Sequence, residues 1–396
     1  MPQKNTQLPY TQPREIAAKL AGLPLRLVTK PGFPGWDAVS AAQDLLASHV
    51  EAPPGARIAV LGCGHGALGA ALTRKSSGAA LTLTDVNIVA LSVAERTLAA
   101  NDVQGVSLVE RISLLPERAG TFDVVAIETP QSRPLARRWL VEAHALLRPG
   151  GSLYLAGPND QGIQPLIGDA AALFGAAAQI GYGGRARVAL AVRGDAPPSP
   201  VWASEPGIAP GTWHEMEVEI TGERLALRSL PGIFSYNRLD DGTRLLLEAM
   251  PALVGLRVLD AGCGYGVIGL VAARRGAATV DMVDASTLAV AAARANIRAH
   301  DIQGAEAHAS DALQAVVRRG YDLVLSNPPF HAGKAVDYDV AHVFIEQARA
   351  LLPVGGRLVL VANRFIRYDD VMRGLFERVE ILAQSKGFRV LAGTVG

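Results

Sequence analysis

The feature that most constrains this 396-residue sequence is an internal repeat: motifs of the first half recur in the second half in the same order. The segment ARIAVLGCGHGALGAAL at 56–72 recurs as LRVLDAGCGYGVIGLVA at 256–272. Later blocks match in the same order: Asp85 with Asp284, 102–105 with 301–304, 122–125 with 321–324, and 146–151 with 351–356. Chance does not give so many ordered matches, so we predict a duplicated domain.

Each half alternates short β-branched runs with alanine-rich stretches. In the second half, one strand ends at Asp260, a helix follows at 267–274, a second strand occupies 279–284, and a second helix occupies 288–299. This alternation predicts a parallel sheet with helices on both faces. We therefore predict an α/β fold of two tandem Rossmann-like domains.

A proline- and glycine-rich segment separates the two halves and is typical of a linker. We predict a first domain at 1–192, a linker at 193–212 and a second domain at 213–396. The stretch 213–230 is expected to form a hairpin that turns at Thr221-Gly222.

The composition indicates a globular protein, since 49% of the residues are hydrophobic and 19% are charged. No apolar stretch reaches the ~18–20 residues that span a bilayer, and the polar first ten residues lack the apolar core of a signal peptide. A cytoplasmic, membrane-free monomer is expected. The net charge of +1 argues against a general nucleic-acid coat but leaves a local RNA-binding patch open.

Cys63 and Cys263 occupy the same position in the two copies of the glycine loop. A disulfide between equivalent loops of two domains is not expected, and a metal site would need more ligands. We predict two reduced loop cysteines with no catalytic thiol and no bound metal.

The glycine loop DAGCGYG at 260–266 lies between a predicted strand and helix, where a backbone can approach a ligand closely and point N–H groups at it. Its GxGxG spacing differs from the GxGxxG of dinucleotide enzymes. Asp284 is placed to bind two ribose hydroxyls and Asp311 an adenine amino group, although a helix cap and a turn are the structural alternatives. The pattern fits S-adenosylmethionine, with a predicted site of Asp260, Gly262, Cys263, Gly264, Gly266, Asp284, Ala285, Asp311, Ala312 and Asn327.

The first half has lost the residues of this site. Val60 stands at the position of Asp260, Ile112 near that of Asp311, and ETPQ at 128–131 replaces NPPF at 327–330. A valine side chain accepts no hydrogen bond, so we predict that the first copy is degenerate and binds no cofactor.

The segment Asn327-Pro328-Pro329-Phe330 follows a short apolar strand and is the predicted catalytic site. The Asn327 amide oxygen and the Pro328 carbonyl can accept both N–H bonds of a planar amine and so aim its lone pair at a methyl group. The prolines stiffen the loop, and Phe330 offers a face on which a base can stack. A plain turn is the alternative reading, and His331 is either a substrate contact or a polar loop residue.

The second half resembles the RsmC-type ribosomal RNA guanine-N2 methyltransferases. The matching stretches are LPGIFS at 230–235, Leu239-Asp240 with Gly242-Thr243, the glycine loop, SNPPFH at 326–331, VANRF at 361–365 and GFRVL at 387–391. The resemblance implies an S-adenosylmethionine-dependent enzyme with a cofactor-free first domain that supports folding and RNA binding. It also implies that residues 327–330 hold the target guanine, and Phe234 and His331 are further candidate substrate contacts. Arg364 and Arg367 stand in a segment that is more basic than in relatives, where they are expected either to contact phosphate or to cap a solvated loop.

The leading prediction is methylation of guanine N2 in ribosomal RNA, most simply 16S rRNA of the small subunit. Methylation of 23S rRNA by a sister family and N5-methylation of a release-factor glutamine remain alternatives. DNA adenine methylation is disfavoured because no target-recognition region is evident. A non-enzymatic RNA-binding assembly factor is disfavoured because Asn327 is intact.

Overall fold

The computed structural model describes residue 10 and residues 12–195, 199–328 and 335–396, with residues 335–340 as backbone only. It divides the chain into two compact units, Met1–Pro210 and Gly211–Gly396. Each unit contains one seven-stranded sheet and one separate two-stranded hairpin.

The first unit opens with a hairpin and continues as an α/β domain. Its elements are β1 (Arg14–Leu20), β2 (Leu23–Thr29), α1 (Ala41–His49), β3 (Arg57–Leu61), α2 (Ala67–Lys75), β4 (Ala80–Thr84), α3 (Ile88–Ala100), β5 (Val106–Val109), β6 (Phe122–Glu128), α4 (Arg133–Leu146), β7 (Leu147–Pro158), α5 (Ile163–Phe174), β8 (Ala178–Gly183) and β9 (Ala186–Val192). The strand order is β5-β4-β3-β6-β7-β9-β8, and β9 runs antiparallel to both of its neighbours.

The second unit repeats this plan. Its elements are β10 (His214–Ile220), β11 (Glu223–Ser229), α6 (Asp241–Glu248), β12 (Arg257–Ala261), α7 (Val267–Arg274), β13 (Thr279–Asp284), α8 (Thr287–Ala299), β14 (Ala305–Ala309), β15 (Leu323–Ser326), α9 (Ala335–Leu351), β16 (Arg357–Asn363), α10 (Tyr368–Arg373), β17 (Arg378–Gln384) and β18 (Phe388–Thr394). The order β14-β13-β12-β15-β16-β18-β17 is that of the first sheet, so the duplication of a Rossmann-like domain is confirmed.

The central strands are buried on both faces, which explains their unbroken apolar sequences. In the second unit every residue of β15 is buried, and Leu259, Leu358 and Leu391 from neighbouring strands pack into one core with Ile345 of α9. The strand order reverses at β12, which pairs with β13 on one side and β15 on the other. Ligands of open α/β sheets bind at such a reversal, beyond the carboxyl ends of the strands.

The hairpin predicted at 213–230 is present as β10 and β11, which pair antiparallel. Thr221 and Gly222 connect them with φ values of +48° and +85°, as a two-residue turn with two positive φ angles requires. Val218, Ile220 and Leu227 are buried, so this hairpin packs on the unit that it introduces.

Part of the segment predicted as a linker belongs to the first unit. Arg138 Nη1 donates a hydrogen bond of 2.8 Å to the Gly207 carbonyl, and the Arg137 guanidinium lies 4.9 Å from the centre of the Trp202 ring. Ile208 is buried. The apolar and aromatic side chains of this segment attach it to α4, and the division of the chain falls after Pro210.

Within the described residues, no helix combines the length and the apolar character that crossing a bilayer requires.

Candidate active site

The candidate site lies where β12, β13 and β15 end, at the reversal of strand order in the second sheet. These strands end at Ala261, Asp284 and Ser326, and their parallel pairing brings the three ends to one edge. The glycine loop, the residues after Asp284 and the segment from Asn327 therefore meet in one region, as the sequence predicted.

The glycine loop uses its N–H groups internally. Gly262 N and Cys263 N both donate to the Val283 carbonyl at 2.9 Å, and Gly266 N donates to the Cys263 carbonyl at 2.8 Å. The expectation that the loop points its N–H groups at a ligand is wrong for these residues, because the neighbouring strand accepts two of the bonds and the loop itself accepts the third. The loop instead allows a ligand to approach its backbone closely. Among the described residues, the nearest atom to a Cβ built on Gly262 is the Asn327 carbonyl oxygen, 3.9 Å away.

Asp284 ties the loop to the next helix. Its Oδ2 accepts from Gly264 N at 3.0 Å and its Oδ1 from Ser286 N at 2.8 Å. Burial raises the pKa of its carboxyl, and these backbone bonds partly oppose that rise. The N-cap of α8 is Ser286, so the alternative in which Asp284 itself caps the helix is wrong.

Asp85 makes the same pair of contacts in the first unit. Its Oδ2 accepts from Gly64 N at 3.0 Å and its Oδ1 from Asn87 N at 2.9 Å. These contacts thus belong to the fold in both copies. A carboxylate has about four lone-pair positions, so the half-buried Asp284 keeps acceptor capacity for ribose hydroxyls.

Asp260 lies beneath the glycine loop with no exposed surface. Its Oδ2 accepts from Gly269 N in α7 at 2.9 Å, while its Oδ1 has no partner among the described residues. Burial raises its pKa to about 7, an effect that Gly269 N opposes and nearby Asp284 reinforces. The sequence did not reveal the Gly269 contact, and a direct contact of Asp260 with cofactor stays a prediction.

Asp311 and Ala312 form a turn after β14. Asp311 lies two residues beyond the strand end and is half-buried, and its carbonyl accepts from Gln314 N at 3.1 Å. Ala312 is buried with a φ of +49°. Gln347 Oε1 anchors the turn by accepting from Leu313 N at 2.9 Å.

The first unit anchors the equivalent turn in the same way, since Glu142 Oε1 accepts from Leu114 N at 2.6 Å. This equivalence puts Ile112 at the position of Asp311, as the sequence predicted. The same alignment pairs Trp139 of α4 with Phe344 of α9.

Asn327 follows β15 and is held by the start of α6. Its Nδ2 donates to Asp240 Oδ2 at 3.2 Å and to Thr243 Oγ1 at 2.8 Å. Because a carboxylate only accepts, the nitrogen of the amide must face Asp240 and the oxygen Oδ1 points the other way. Sequence reasoning did not assign Asp240 and Thr243 a role, although the D-x-x-T pattern is typical of a helix N-cap.

The remaining residues of the NPPF segment divide between described and undescribed positions. Pro328 is buried behind Asn327. The predictions for Pro329, Phe330 and His331 fall on positions outside the described residues.

The three other predicted substrate residues are all open to solvent, although one of them, Arg367, is already in an ion pair. Phe234 is 64% exposed, and its neighbour Ile233 is buried within 3.7 Å of a Cβ built on Gly264, so this loop borders the glycine loop. Arg364 is exposed just beyond β16. Arg367 instead pairs with Asp370 at 2.7 Å.

In the first unit, Trp139 fills the space above the glycine loop. A Cβ built on Gly62 would lie 2.6 Å from its indole ring, whereas among the described residues the nearest atom to a Cβ on Gly262 is 3.9 Å away. Trp139 itself is buried. The sequence showed the loss of polar residues in this copy but not the aromatic side chain that closes it.

The first unit also has a polar trio at the positions of Asn327, Asp240 and Thr243, but its carboxylate is on a different member of the trio. Ser40 Oγ donates to Glu128 Oε1 at 2.5 Å, and the Gln43 side chain contacts the same carboxylate. Glu128 stands at the position of Asn327. The acid is therefore at the strand end in one copy and at the helix cap in the other.

Two further groups could suggest chemistry. Among the described residues, Asp281, Glu306 and His308 are grouped closely enough to hold a metal ion, but Arg319 already forms an ion pair with Asp281. Tyr321 also donates to Asp281 at 2.7 Å. Cys63 and Cys263 are free and buried, and burial raises the pKa of both thiols, which keeps them protonated.

Comparison with known proteins identifies the family. The methyltransferase small domain model matches twice, at residues 24–187 and 224–392. A ribosomal RNA small subunit methyltransferase C from Pseudomonas entomophila is 35% identical over 289 residues, which is 71% of this chain and 81% of the relative. The chain belongs to the family of ribosomal RNA small subunit methyltransferase C proteins. It is thus a methyltransferase, as the resemblance implied.

Other relatives agree. A ribosomal RNA small subunit methyltransferase C from Chromohalobacter salexigens is 36% identical over 66% of this chain and 75% of its own length. Among solved structures, a T. thermophilus 16S rRNA N2 G1207 methyltransferase (RsmC) in complex with AdoMet and guanosine is 30% identical. It covers 97% of this chain and 98% of its own, with a TM-score of 0.81. The two-domain architecture is therefore shared along the whole length.

Proposed function

We propose that this protein transfers the methyl group of S-adenosylmethionine to the exocyclic N2 of a guanine in 16S ribosomal RNA. The observation that carries the proposal is the fixed amide of Asn327 beside an open glycine loop. The similarity to a structure described as a guanine-N2 methyltransferase with AdoMet and guanosine supports it along the full chain.

The residues around the glycine loop fit the cofactor. Within the described part of the chain, the backbone at Gly262 leaves room for a ligand against the loop, with Gly264, Gly266 and Cys263 shaping it. In our proposal the half-buried Asp284 accepts from ribose hydroxyls. Asp311, with Ala285 and Ala312 beside the two carboxylates, accepts from the adenine amino group. Bound S-adenosylmethionine supplies a methyl group on a positively charged sulfur.

Asn327 and Pro328 prepare the acceptor nitrogen. The Asn327 Oδ1 and the Pro328 carbonyl accept the two N–H bonds of guanine N2 and turn its lone pair toward the methyl carbon. N2 then forms the new bond to carbon, and the carbon–sulfur bond breaks with its electron pair going to sulfur. The nitrogen becomes acidic on alkylation and gives its proton to water, so no strong general base is required.

The substrate surface surrounds this point. We propose that exposed Phe234 stacks on RNA and that Arg364 contacts phosphate, because a planar guanidinium suits phosphate oxygens. Phe330 and His331, outside the described residues, complete the guanine site in this proposal. Arg367 contributes less, since Asp370 already pairs with it. In this proposal the protein acts in the cytoplasm, where it is a monomer because the duplication already joins two like domains in one chain.

The test uses labelled S-adenosylmethionine with 16S rRNA, assembled small subunits and large subunits from cells that lack this gene. We expect N2-methylguanosine in small-subunit RNA, and the guanine equivalent to the G1207 named for the T. thermophilus protein is the first position to map. Asn327→Ala should slow the reaction about 100-fold, as loss of one oriented catalytic hydrogen bond does. Label in 23S rRNA or in a release-factor glutamine would redirect the assignment, and a fully active Asn327→Ala would refute the mechanism.

A further inference from the structure

Asp240 both caps helix α6 and binds the side chain of Asn327. Asp240 is the N-cap of α6, where its Oδ2 accepts from Thr243 N at 2.9 Å. The same oxygen accepts from Asn327 Nδ2 at 3.2 Å, and Thr243 Oγ1 accepts from that nitrogen at 2.8 Å. Both hydrogens of the Asn327 amide nitrogen are thereby directed into α6, across a separation of 87 residues in sequence.

This arrangement affects the chemistry of the opposite end of the amide. An unrestrained asparagine can rotate and exchange its nitrogen and oxygen, which would present donors to a substrate amine. A carboxylate forbids that exchange because it cannot donate. A negative charge on the N–H side also draws electron density toward Oδ1 and makes that oxygen a stronger acceptor.

The first copy offers an internal comparison. Ser40, the N-cap of α1, donates to Glu128, so the strand-end residue there is an acceptor that is already occupied. Only the second copy combines a charged cap with a strand-end amide whose oxygen is turned away from the cap. Both copies keep the capped helix. They differ in the strand-end residue that the cap contacts, which is Glu128 in the first copy and Asn327 in the second.

We infer that Asp240, assisted by Thr243, is a positioning residue that fixes and polarises Asn327 for the acceptor amine. This inference rests on the proposed function, since it assigns the substrate contact to Asn327 Oδ1. Asp240 touches neither substrate nor cofactor and acts through the amide that it holds.

The test exploits substitutions that preserve the helix cap. Asn and Ser both cap helices well. Asp240→Asn removes the charge but keeps an acceptor. Asp240→Ser, copied from Ser40, caps the helix but replaces the carboxylate with a shorter hydroxyl, and Ser40 meets a strand-end side chain, Glu128, that is one carbon longer than Asn327. Asp241→Asn is the matched control, because Asp241 is the adjacent, exposed carboxylate in the first turn of α6.

We expect Asp240→Ser to lower kcat about tenfold or more, the loss of one charge-assisted hydrogen bond, and Asp240→Asn to lower it less. Cofactor Kd should stay within about twofold, since the hydrogen bonds of the Asp240 carboxylate run to Thr243 and Asn327 and not to the glycine loop. Asp241→Asn should match wild type.

Two readouts separate positioning from a general structural effect. In single-turnover assays, Asp240→Ser should cost nothing further once Asn327→Ala is present, and an equal cost in both backgrounds overturns the inference. The second readout needs no RNA: the side-chain amide resonances of ¹⁵N-labelled Asn327 should move in Asp240→Asn and stay in place in Asp241→Asn. If wild type methylates no RNA, the proposed function fails, and unchanged Asn327 resonances in Asp240→Asn overturn the inference separately.

Discussion

Asp260 couples the stability of the second unit to pH. It has no exposed surface, and its folded-state pKa of about 7 lies far above the 3.8 of an ordinary aspartate, chiefly because of burial. A carboxyl with a raised folded pKa stabilises the fold fully below its unfolded pKa, and that contribution is lost as pH rises through the folded pKa. We therefore expect the thermal midpoint of the second unit to fall as pH rises from about 4 through about 7 and to level off above that value.

Asp260→Asn should remove that slope near pH 7. The asparagine keeps an acceptor for Gly269 N and carries no titratable charge. Asp322→Asn is the control, because Arg257 lowers the pKa of Asp322 and its contribution changes only in acid, as pH falls through that lowered value. The pKa of Asp85 is raised to about 6, so the stability of the first unit should depend on pH in the same direction but at slightly lower pH. A slope near pH 7 that survives Asp260→Asn would assign the effect to another group.

At the scale of elements, the two glycine loops differ in what lies above them. Gly62 and Gly262 share a φ of +76°, so alanine strains both backbones equally. The added Cβ meets the Trp139 ring at 2.6 Å in the first loop, but in the second its nearest neighbour among the described residues is the Asn327 carbonyl oxygen at 3.9 Å. The same substitution thus probes packing in one copy and ligand space in the other.

Gly62→Ala should destabilise the first unit by about 2–4 kcal/mol, from overpacking plus a strained φ, and leave cofactor affinity unchanged. Gly262→Ala should cost only about 1 kcal/mol in stability but lower cofactor affinity at least tenfold. Calorimetry of unfolding and of cofactor binding on the two variants checks both expectations. Equal affinities in the two variants would place the cofactor away from Gly262.

The sequence predicted elements well where a local pattern determines them. β13, α7 and the β10–β11 turn occur at the predicted residues, because strand burial, glycine and positive φ leave a signature in adjacent positions. The first hairpin was missed, although Ala21-Gly22 lies 200 residues before Thr221-Gly222 and the repeat would have predicted it.

Contacts between distant residues were less predictable. The sequence predicted one group of residues that could bind cofactor. It did not predict that the N–H groups of Gly262 and Cys263 donate to the Val283 carbonyl, because that contact depends on the packing of the neighbouring strand. The Asp240–Asn327 bond and the closure of Gly62 by Trp139 join residues far apart in sequence. No local pattern encodes either contact, because each depends on how helices pack over the sheet edge.

At the scale of the whole molecule, duplication produced two similar cores whose glycine loops have different surroundings. Both units have the same strand order and the same aspartate–glycine loop contacts. In the first, the Trp139 indole supplies buried contacts above the loop. In the second, Phe344 stands at the position of Trp139 and no described side chain lies as close to Gly262, so a bound molecule would add buried surface there.

This difference predicts one cofactor per chain and selective stabilisation. S-adenosylmethionine at 100 times its Kd adds about 2.7 kcal/mol to the unit that binds it, which raises a Tm by about 5–10 °C for a domain of this size. We expect calorimetry to resolve two unfolding transitions, of which only that of Gly211–Gly396 moves with cofactor. Titration should give a stoichiometry of one, and Gly262→Ala should abolish the shift while Gly62→Ala keeps it. Two bound molecules, or a shift of both transitions that survives Gly262→Ala, would mean that the first copy still binds the cofactor despite Trp139.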